Sequence, residues 1–118
     1  MIMDFQNSLF NMPLLVGIIF IITGFIMYKF PPKKINMLYG YRTTSSMKSQ
    51  KRWDFAQVYS SKLMVYCGFG LSLSSIFGLF FDLSEGKGVF ISTLFIIVSV
   101  LVLIYKTEKA IKGQFKNE

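Results

Sequence analysis

Residues 9–28, LFNMPLLVGIIFIITGFIMY, contain no charged side chain and decide the fold class of this protein. Two further stretches are alike: residues 63–81, LMVYCGFGLSLSSIFGLFF, and residues 88–105, GVFISTLFIIVSVLVLIY. A bilayer core about 30 Å thick takes roughly 20 apolar residues in a helix that rises about 1.5 Å per residue. The three stretches have 20, 19 and 18 residues. The sequence therefore predicts an all-α integral membrane protein with three transmembrane helices.

Length and composition agree with a single membrane domain. Of the 118 residues, 53% are hydrophobic and only 16% are charged, whereas a soluble domain carries about 25% charged residues. A soluble helix also shows polar residues every few positions on its solvent face, and the uncharged stretches leave no such face. These features exclude a soluble enzyme and a soluble nucleic-acid binder. Because no basic residue precedes the first stretch and no small-residue cleavage site follows it, we expect a retained helix and not a signal peptide.

The basic residues predict the orientation of the chain in the membrane. Twelve of the thirteen lie between the first two stretches or after the third, and only Lys87 lies elsewhere. Lys and Arg near helix ends are retained in the cytoplasm. We therefore expect the N-terminus outside, the long loop inside, the short turn outside and the C-terminus inside. Anionic lipid headgroups are the expected partner of this charge, and nucleic acid is not. The headgroup candidates are Lys33, Lys34, Arg42, Lys48 and Arg52.

The boundaries of the spans follow from charges and helix signals. The expected order is a first span over about 9–29, a cytoplasmic loop 30–62, a second span 63–81, an outer turn 82–87, a third span 88–106 and a cytoplasmic tail 107–118. Pro31 and Pro32 end the first helix. Within the loop, a helix from about residue 47, capped by Ser46, is expected to continue into the second span and extend it on its cytoplasmic side. Trp53 and Tyr59 are the expected interfacial anchors.

Small residues within the spans predict how the helices associate. Lipid tails are as apolar as leucine, so association in a membrane depends on close approach and interhelical hydrogen bonds. Gly70, Ser74 and Gly78 recur every four residues, and this stripe also offers a surface for homo-oligomers. The predicted packing positions are Gly17, Gly24, Gly70, Ser74, Gly78, Ser92 and Ser99.

Several chemistries are excluded by residue counts. The chain has no histidine and a single cysteine, Cys67, so an intrachain disulfide is impossible and imidazole chemistry is absent. No clustered metal ligands are visible, and neither a metal nor a cofactor is expected.

The loop carries a specific motif. Residues 32–43, PKKINMLYGYRT, are followed ten residues later by Trp53 and then by Ala56. This pattern resembles the SdpI family over roughly residues 13–81, with the third helix similar only in kind. The family consists of small bacterial membrane proteins named for an immunity factor against a sporulation-delaying toxin. The motif residues that carry the resemblance are Pro32, Asn36, Tyr39, Gly40, Arg42, Thr43, Trp53 and Asp54.

The resemblance implies a place and a role. It implies a multi-pass protein of the bacterial cytoplasmic membrane that protects the cell against a membrane-active peptide. In the founding member it also implies recruitment of a transcriptional repressor, so the expected partners are a peptide toxin or a cytoplasmic regulator. That member has an additional N-terminal membrane region, which we do not expect here.

Each motif residue also has a structural interpretation. Arg42 either pairs with Asp54 or caps helix carbonyls, or it binds a lipid phosphate through its planar guanidinium, aided by Lys33 and Lys34. Asn36 is expected to close a turn after the prolines. Thr43 either holds the loop backbone or adds a hydroxyl to a phosphate site.

Three functions are compatible with these residues. The first is immunity or envelope-stress protection by binding at the membrane. The second is an inner-leaflet lipid-handling enzyme or binding protein that uses Asn36, Arg42 and Thr43, with Asp54 as the loop's only carboxylate. The third is an accessory subunit of a larger membrane complex. One carboxylate without histidine or metal ligands is a weak catalytic set, so we expect a protein without enzymatic activity.

Overall fold

Three helices form the part of the chain that the computed structural model describes, residues 7–81 and 83–116. They are α1 (Ser8–Lys29), α2 (Gln50–Gly78) and α3 (Glu85–Gln114). The molecule is elongated, with principal extents of 56 × 24 × 20 Å. The described residues contain no strand, which confirms the all-α class. The long segment between α1 and α2 lies at one end of the bundle and contains the sequence motif.

Two of the three helices are long and apolar enough to cross a membrane, α1 and α3. The second helix falls outside this pair because its apolar part ends at Gly78 and holds serines at positions 60, 61, 72, 74 and 75. The sequence suggested a second span to residue 81, whereas α2 ends at Gly78. Residues 79 and 80 instead form a turn, in which the Leu79 N–H donates to the Ile76 carbonyl at 3.1 Å.

The start of α2 corrects one expectation. The helix begins at Gln50, not near residue 47, and its N-cap is Ser49, whose hydroxyl accepts from the Arg52 N–H at 3.2 Å. Ser46, the expected cap, is fully buried in the preceding turn. Its hydroxyl donates to the Tyr41 carbonyl at 3.1 Å. The run of hydroxyl residues therefore makes a separate turn first, and the helix starts one turn later.

The end of α3 differs from the expected span as well. The helix continues to Gln114, so most of the expected tail is helical. Ile111 is fully buried, and the Phe115 ring stacks edge-on against Phe55 with centroids 5.8 Å apart. These last turns of α3 pack against the first turns of α2, and the contact explains why the helix persists after the apolar stretch ends.

Glycines form the contact between α1 and α2, which run antiparallel. A Cβ on Gly68 would lie 2.6 Å from the Gly17 carbonyl oxygen, and one on Gly24 would lie 2.9 Å from the Ser61 carbonyl oxygen. A Cβ on Gly78 would lie 2.6 Å from the Leu9 carbonyl oxygen. We call these four glycines, Gly17, Gly24, Gly68 and Gly78, the glycine seam. It lets the two backbones approach more closely than any larger residue allows.

The other predicted packing positions divide into two groups. Ser92 is buried and donates to the Ser8 carbonyl at 3.1 Å, joining α3 to α1. Gly70 does not pack at all, because a Cβ there would meet no atom within 4 Å. Ser74 and Ser99 line an open cleft between α2 and α3. The expected stripe is therefore interrupted, since Gly78 faces α1 whereas Gly70 faces the open cleft between α2 and α3.

Candidate functional site

The segment between α1 and α2, residues 30–49, folds back onto the helix ends and forms the candidate site; we call it the loop. Its anchor is Trp53, which is fully buried and donates from Nε1 to the Pro32 carbonyl at 2.6 Å. Gln50 adds a second tie, because its Nε2 donates to the Lys33 carbonyl at 2.7 Å. The prolines cannot continue α1, and the first turns of α2 supply the donors that hold the chain after them.

Asn36 closes a turn at the next step along the loop. Its Oδ1 accepts from the N–H groups of Leu38 at 2.9 Å and Tyr39 at 2.7 Å, and its Nδ2 donates to the Lys34 carbonyl at 2.9 Å. This is the local turn expected from asparagine at this position. The Tyr39 hydroxyl then donates to the Phe30 carbonyl at 2.9 Å, which fastens the turn to the end of α1.

Gly40 and Gln57 bring the loop over α2. Gly40 has φ +107°, a left-handed conformation that favours glycine, and a Cβ there would lie 2.5 Å from Gln57 Oε1. Gln57 is 1% exposed, and its amide pairs with both backbone groups of Tyr41. Oε1 accepts from the Tyr41 N–H at 2.7 Å, and Nε2 donates to the Tyr41 carbonyl at 2.9 Å. The side-chain amide of Gln57 thus pairs with the backbone of Tyr41 as a neighbouring β-strand would.

The loop reaches α3 through the carboxylate of Glu108. Oε2 accepts from the Tyr41 hydroxyl at 2.8 Å and from the Thr43 hydroxyl at 3.0 Å; we call this pair of hydrogen bonds the latch. Burial, and next the hydrogen bond to Glu108, raise the pKa of the Tyr41 phenol above its ordinary value. The phenol therefore remains a donor at physiological pH. Ser46 supports the latch, because its hydroxyl accepts from the Thr43 N–H at 2.9 Å.

Arg42 and Asp54, which the sequence suggested as a pair, have other partners. The Arg42 guanidinium donates to the Met37 carbonyl within the loop and stays exposed. Asp54 accepts from Gln50 Nε2 at 2.8 Å. Arg42 therefore binds a carbonyl of the loop, neither Asp54 nor a helix carbonyl. Asp54 lines a cavity of about 310 Å³ together with Pro32 and Lys33, on the side of the loop next to α1.

The headgroup candidates separate by exposure. Lys33, Lys34, Arg42 and Lys48 are exposed, whereas Arg52 is only 7% exposed. Arg52 is therefore not available to a headgroup, because its guanidinium donates to the Ser45 hydroxyl at 3.3 Å and lies 5.8 Å from the centre of the Phe115 ring.

The expectation that Trp53 anchors the protein at the membrane interface is also wrong. A ring with no exposed surface belongs to the interior of the loop.

Gln57 and Glu108 are the site residues that sequence reasoning missed. Glu108 stands in an otherwise basic segment, between Lys106 and Lys109, and a lone acid there was a usable signal. Gln57 gave no signal, since its role depends on how the loop backbone passes over it. Asn36, Tyr39, Gly40, Thr43 and Trp53 come together as the framework of the loop, and their hydrogen-bonding groups are used within it. Across the ranges described, no cluster of three potential metal ligands occurs.

Loss of the latch is expected to loosen the loop. We expect Tyr41→Phe to lower the free energy of unfolding by about 1.5–3 kcal/mol, the range for a hydrogen bond to a charged group. Trypsin should then cleave the purified protein faster at Arg42 and Lys48. Tyr39→Phe, which removes a hydroxyl bound to a neutral carbonyl, is the matched control and should have the smaller effect. Cleavage of Tyr41→Phe at the wild-type rate would show that the latch does not hold the loop.

Two comparisons with known proteins give a match, one with a protein family and one with a single relative. The SdpI/YfhL protein family matches residues 33–106. The chain is also similar to the uncharacterized protein YfhL of Bacillus subtilis (strain 168), with 37% identity over 97 residues that cover 81% of this chain and 82% of that protein. No solved structure matches. The family match begins at the loop and reaches α3, whereas the motif suggested a resemblance over about residues 13–81.

Proposed function

The chain belongs to the SdpI/YfhL protein family, and from this membership we propose that it protects a bacterial cytoplasmic membrane against a membrane-active peptide by binding. The family assignment confirms the resemblance that the loop motif indicated. The observation that carries the proposal is that the family match begins at Lys33 in the loop and continues through α2 to residue 106 of α3. The matched unit thus contains most of the loop together with α2 and most of α3, not an apolar helix alone.

The proposal places all three helices across the membrane. Contacts of the glycine seam run from Leu9 to Gly24 along α1, a length of about 22 Å. Because α2 lies against α1 over this length, a membrane that α1 crosses is crossed by α2 as well. The serines of α2 do not oppose this, since the hydroxyls of Ser72, Ser74 and Ser75 donate to carbonyls of their own helix. The basic residues then place the loop in the cytoplasm.

Cysteine labelling in intact cells tests this orientation. In a Cys67→Ser background, we expect Lys87→Cys to react with a membrane-impermeant maleimide added outside. Lys48→Cys should react only after the membrane is permeabilised. Both positions are exposed lysines, so they form a matched pair. Labelling of Lys48→Cys from outside, with Lys87→Cys protected, would reverse the proposed topology.

Binding fits the loop better than catalysis does. Asn36 and Thr43, two members of the constellation considered for an enzyme, direct their hydrogen bonds to the loop backbone and to Glu108. The exposed charged groups include the cations Lys33, Lys34 and Arg42, beside the one carboxylate of Asp54. A rigid loop with exposed cations is suited to hold an anionic group or a lipid-bound peptide.

Survival of bacteria exposed to membrane-active peptides tests the role. We expect cells that express the wild type to survive better than cells with an empty vector, and Arg42→Ala to lose this protection at equal abundance in the membrane. Lys51→Ala, an exposed cation outside the motif, is the matched control and should protect. Thermal unfolding of purified Arg42→Ala shows whether the loop is still folded. A wild type that protects against no peptide would overturn the proposed role.

A further inference from the structure

The middle of the bundle contains a cleft between α2 and α3. Near the loop, α3 is held by the latch, and at its other end Ser92 donates to the Ser8 carbonyl of α1. Between these attachments a cleft of about 360 Å³ opens to the surface. Leu71 forms its buried floor. The other lining residues are Cys67, Gly70, Ser74, Phe95, Val98 and Ser99.

The cleft offers mainly apolar contacts, although three of its residues carry polar atoms. The hydroxyls of Ser74 and Ser99 donate to the carbonyls of Leu71 at 2.7 Å and Phe95 at 2.9 Å. The Cys67 thiol lies 3.8 Å from the Ser99 carbonyl oxygen. With these groups satisfied, the walls present hydrocarbon. Its volume falls within the range of about 300–1,000 Å³ found for ligand pockets, and apolar cavities do not hold water.

A cation stands at one end of the cleft. Lys106 follows Ser99 by seven residues, so it lies on the same face of α3 about 10 Å further along. Its side chain is exposed. In the proposed orientation, the cleft lies near the centre of the bilayer and Lys106 lies at the inner headgroup level. Phe95, which also lines the cleft, is about 16 Å from Lys106 along α3, close to the half-thickness of about 15 Å of a hydrocarbon core.

We propose that the cleft binds one acyl chain of an anionic phospholipid of the inner leaflet, whose phosphate contacts Lys106. The proposal rests on the membrane placement given above, but not on protection against peptides. A second copy of this chain fits the cleft less well. In a two-fold symmetric contact, Lys106 and Lys109 of the second copy would approach the same two lysines of the first copy, and their charges would repel.

Native mass spectrometry of the full chain, released from detergent with added phosphatidylglycerol or phosphatidylcholine, tests the proposal. We expect one phosphatidylglycerol to stay bound to the wild type. Gly70→Leu, whose Cβ would meet no atom within 4 Å and whose longer side chain would occupy the cleft, should weaken binding about tenfold, the loss for roughly two expelled methylene groups. Lys106→Gln should weaken phosphatidylglycerol binding about fivefold and phosphatidylcholine binding less, because the choline cation offsets the phosphate charge of the latter lipid. Gly113→Leu, also in open space, and Lys112→Gln are the matched controls.

Each of the other outcomes would contradict a different part of the proposal. Equal lipid retention by Gly70→Leu and the wild type would overturn the cleft as the site. Equal binding of the two lipids, unchanged in Lys106→Gln, would overturn the contact of Lys106 with an anionic headgroup. A lipid-free dimer that Gly70→Leu dissociates would identify a second copy as the occupant. If the wild type binds lipid but protects against no peptide, only the proposed function fails.

Discussion

Trp53→Ala is expected to lower the free energy of unfolding by about 3–5 kcal/mol, the range for removing a buried large aromatic side chain. The ring has no exposed surface, and its N–H is bound to the Pro32 carbonyl. Its removal leaves a cavity at the point where the loop joins α2, and it also leaves a carbonyl without its donor. The loop should therefore open before the helices separate. Unfolding of the purified protein in detergent, followed by circular dichroism, measures the change.

Two further variants identify the cause of that loss. Trp53→Phe keeps most of the ring volume but removes the donor, so it should lose about 1–3 kcal/mol. Tyr66→Ala removes an aromatic ring of α2 that is 67% exposed and should change stability little. If Tyr66→Ala were as damaging as Trp53→Ala, general loss of aromatic surface would explain both, and the anchoring role of Trp53 would be wrong.

Gly68→Ala and Gly70→Ala are expected to have opposite effects, although the two glycines are two residues apart on α2. A Cβ on Gly68 would lie 2.6 Å from the Gly17 carbonyl oxygen and 2.8 Å from the Ile21 nitrogen. Both are backbone atoms, so the helices must move apart at a cost of about 1–3 kcal/mol or more. A Cβ on Gly70 would meet nothing within 4 Å. Alanine there should gain about 0.5–1 kcal/mol from the reduced flexibility of the helix.

The same unfolding measurement compares the two variants, and each serves as the control for the other. Their helix propensities change by the same amount, so a difference between them reports only the contact with α1. Equal stabilities would show that α1 and α2 do not approach along the glycine seam. A destabilised Gly70→Ala would show instead that the cleft between α2 and α3 is closed in the folded protein.

The helices could be predicted from the sequence because long uncharged stretches permit few other structures. The ends of the helices are harder to predict from the sequence. The extension of α3 to Gln114 depends on the burial of Ile111 and the contact of Phe115 with Phe55. These are tertiary contacts between residues distant in sequence. Ser46 and Ser49 are chemically equal as caps, and only the pairing of Ser46 with Thr43 and Tyr41 decides between them.

The loop could be predicted only where its interactions are local. The turn at Asn36 involves residues up to three apart, and the sequence indicated it. Gln57 and Glu108 act on Tyr41 from 16 and 67 residues away, and no spacing rule predicts such pairs. The same limit explains the error on Trp53. A tryptophan next to lysines and an apolar stretch is typical of a membrane interface, and only the path of Pro32 over the ring reveals that it is buried.

The distance in sequence between Tyr41 and Glu108 also sets an order of events during synthesis. At about 5–20 residues per second, the ribosome needs roughly 3–13 s to add the 67 residues that separate them. The first two helices can pair along their glycines in this interval, while the nascent loop is still without its acceptor on the third helix. A newly made molecule therefore has an open loop that proteases and chaperones can reach. The loop closes only after Glu108 has been made and has met Tyr41.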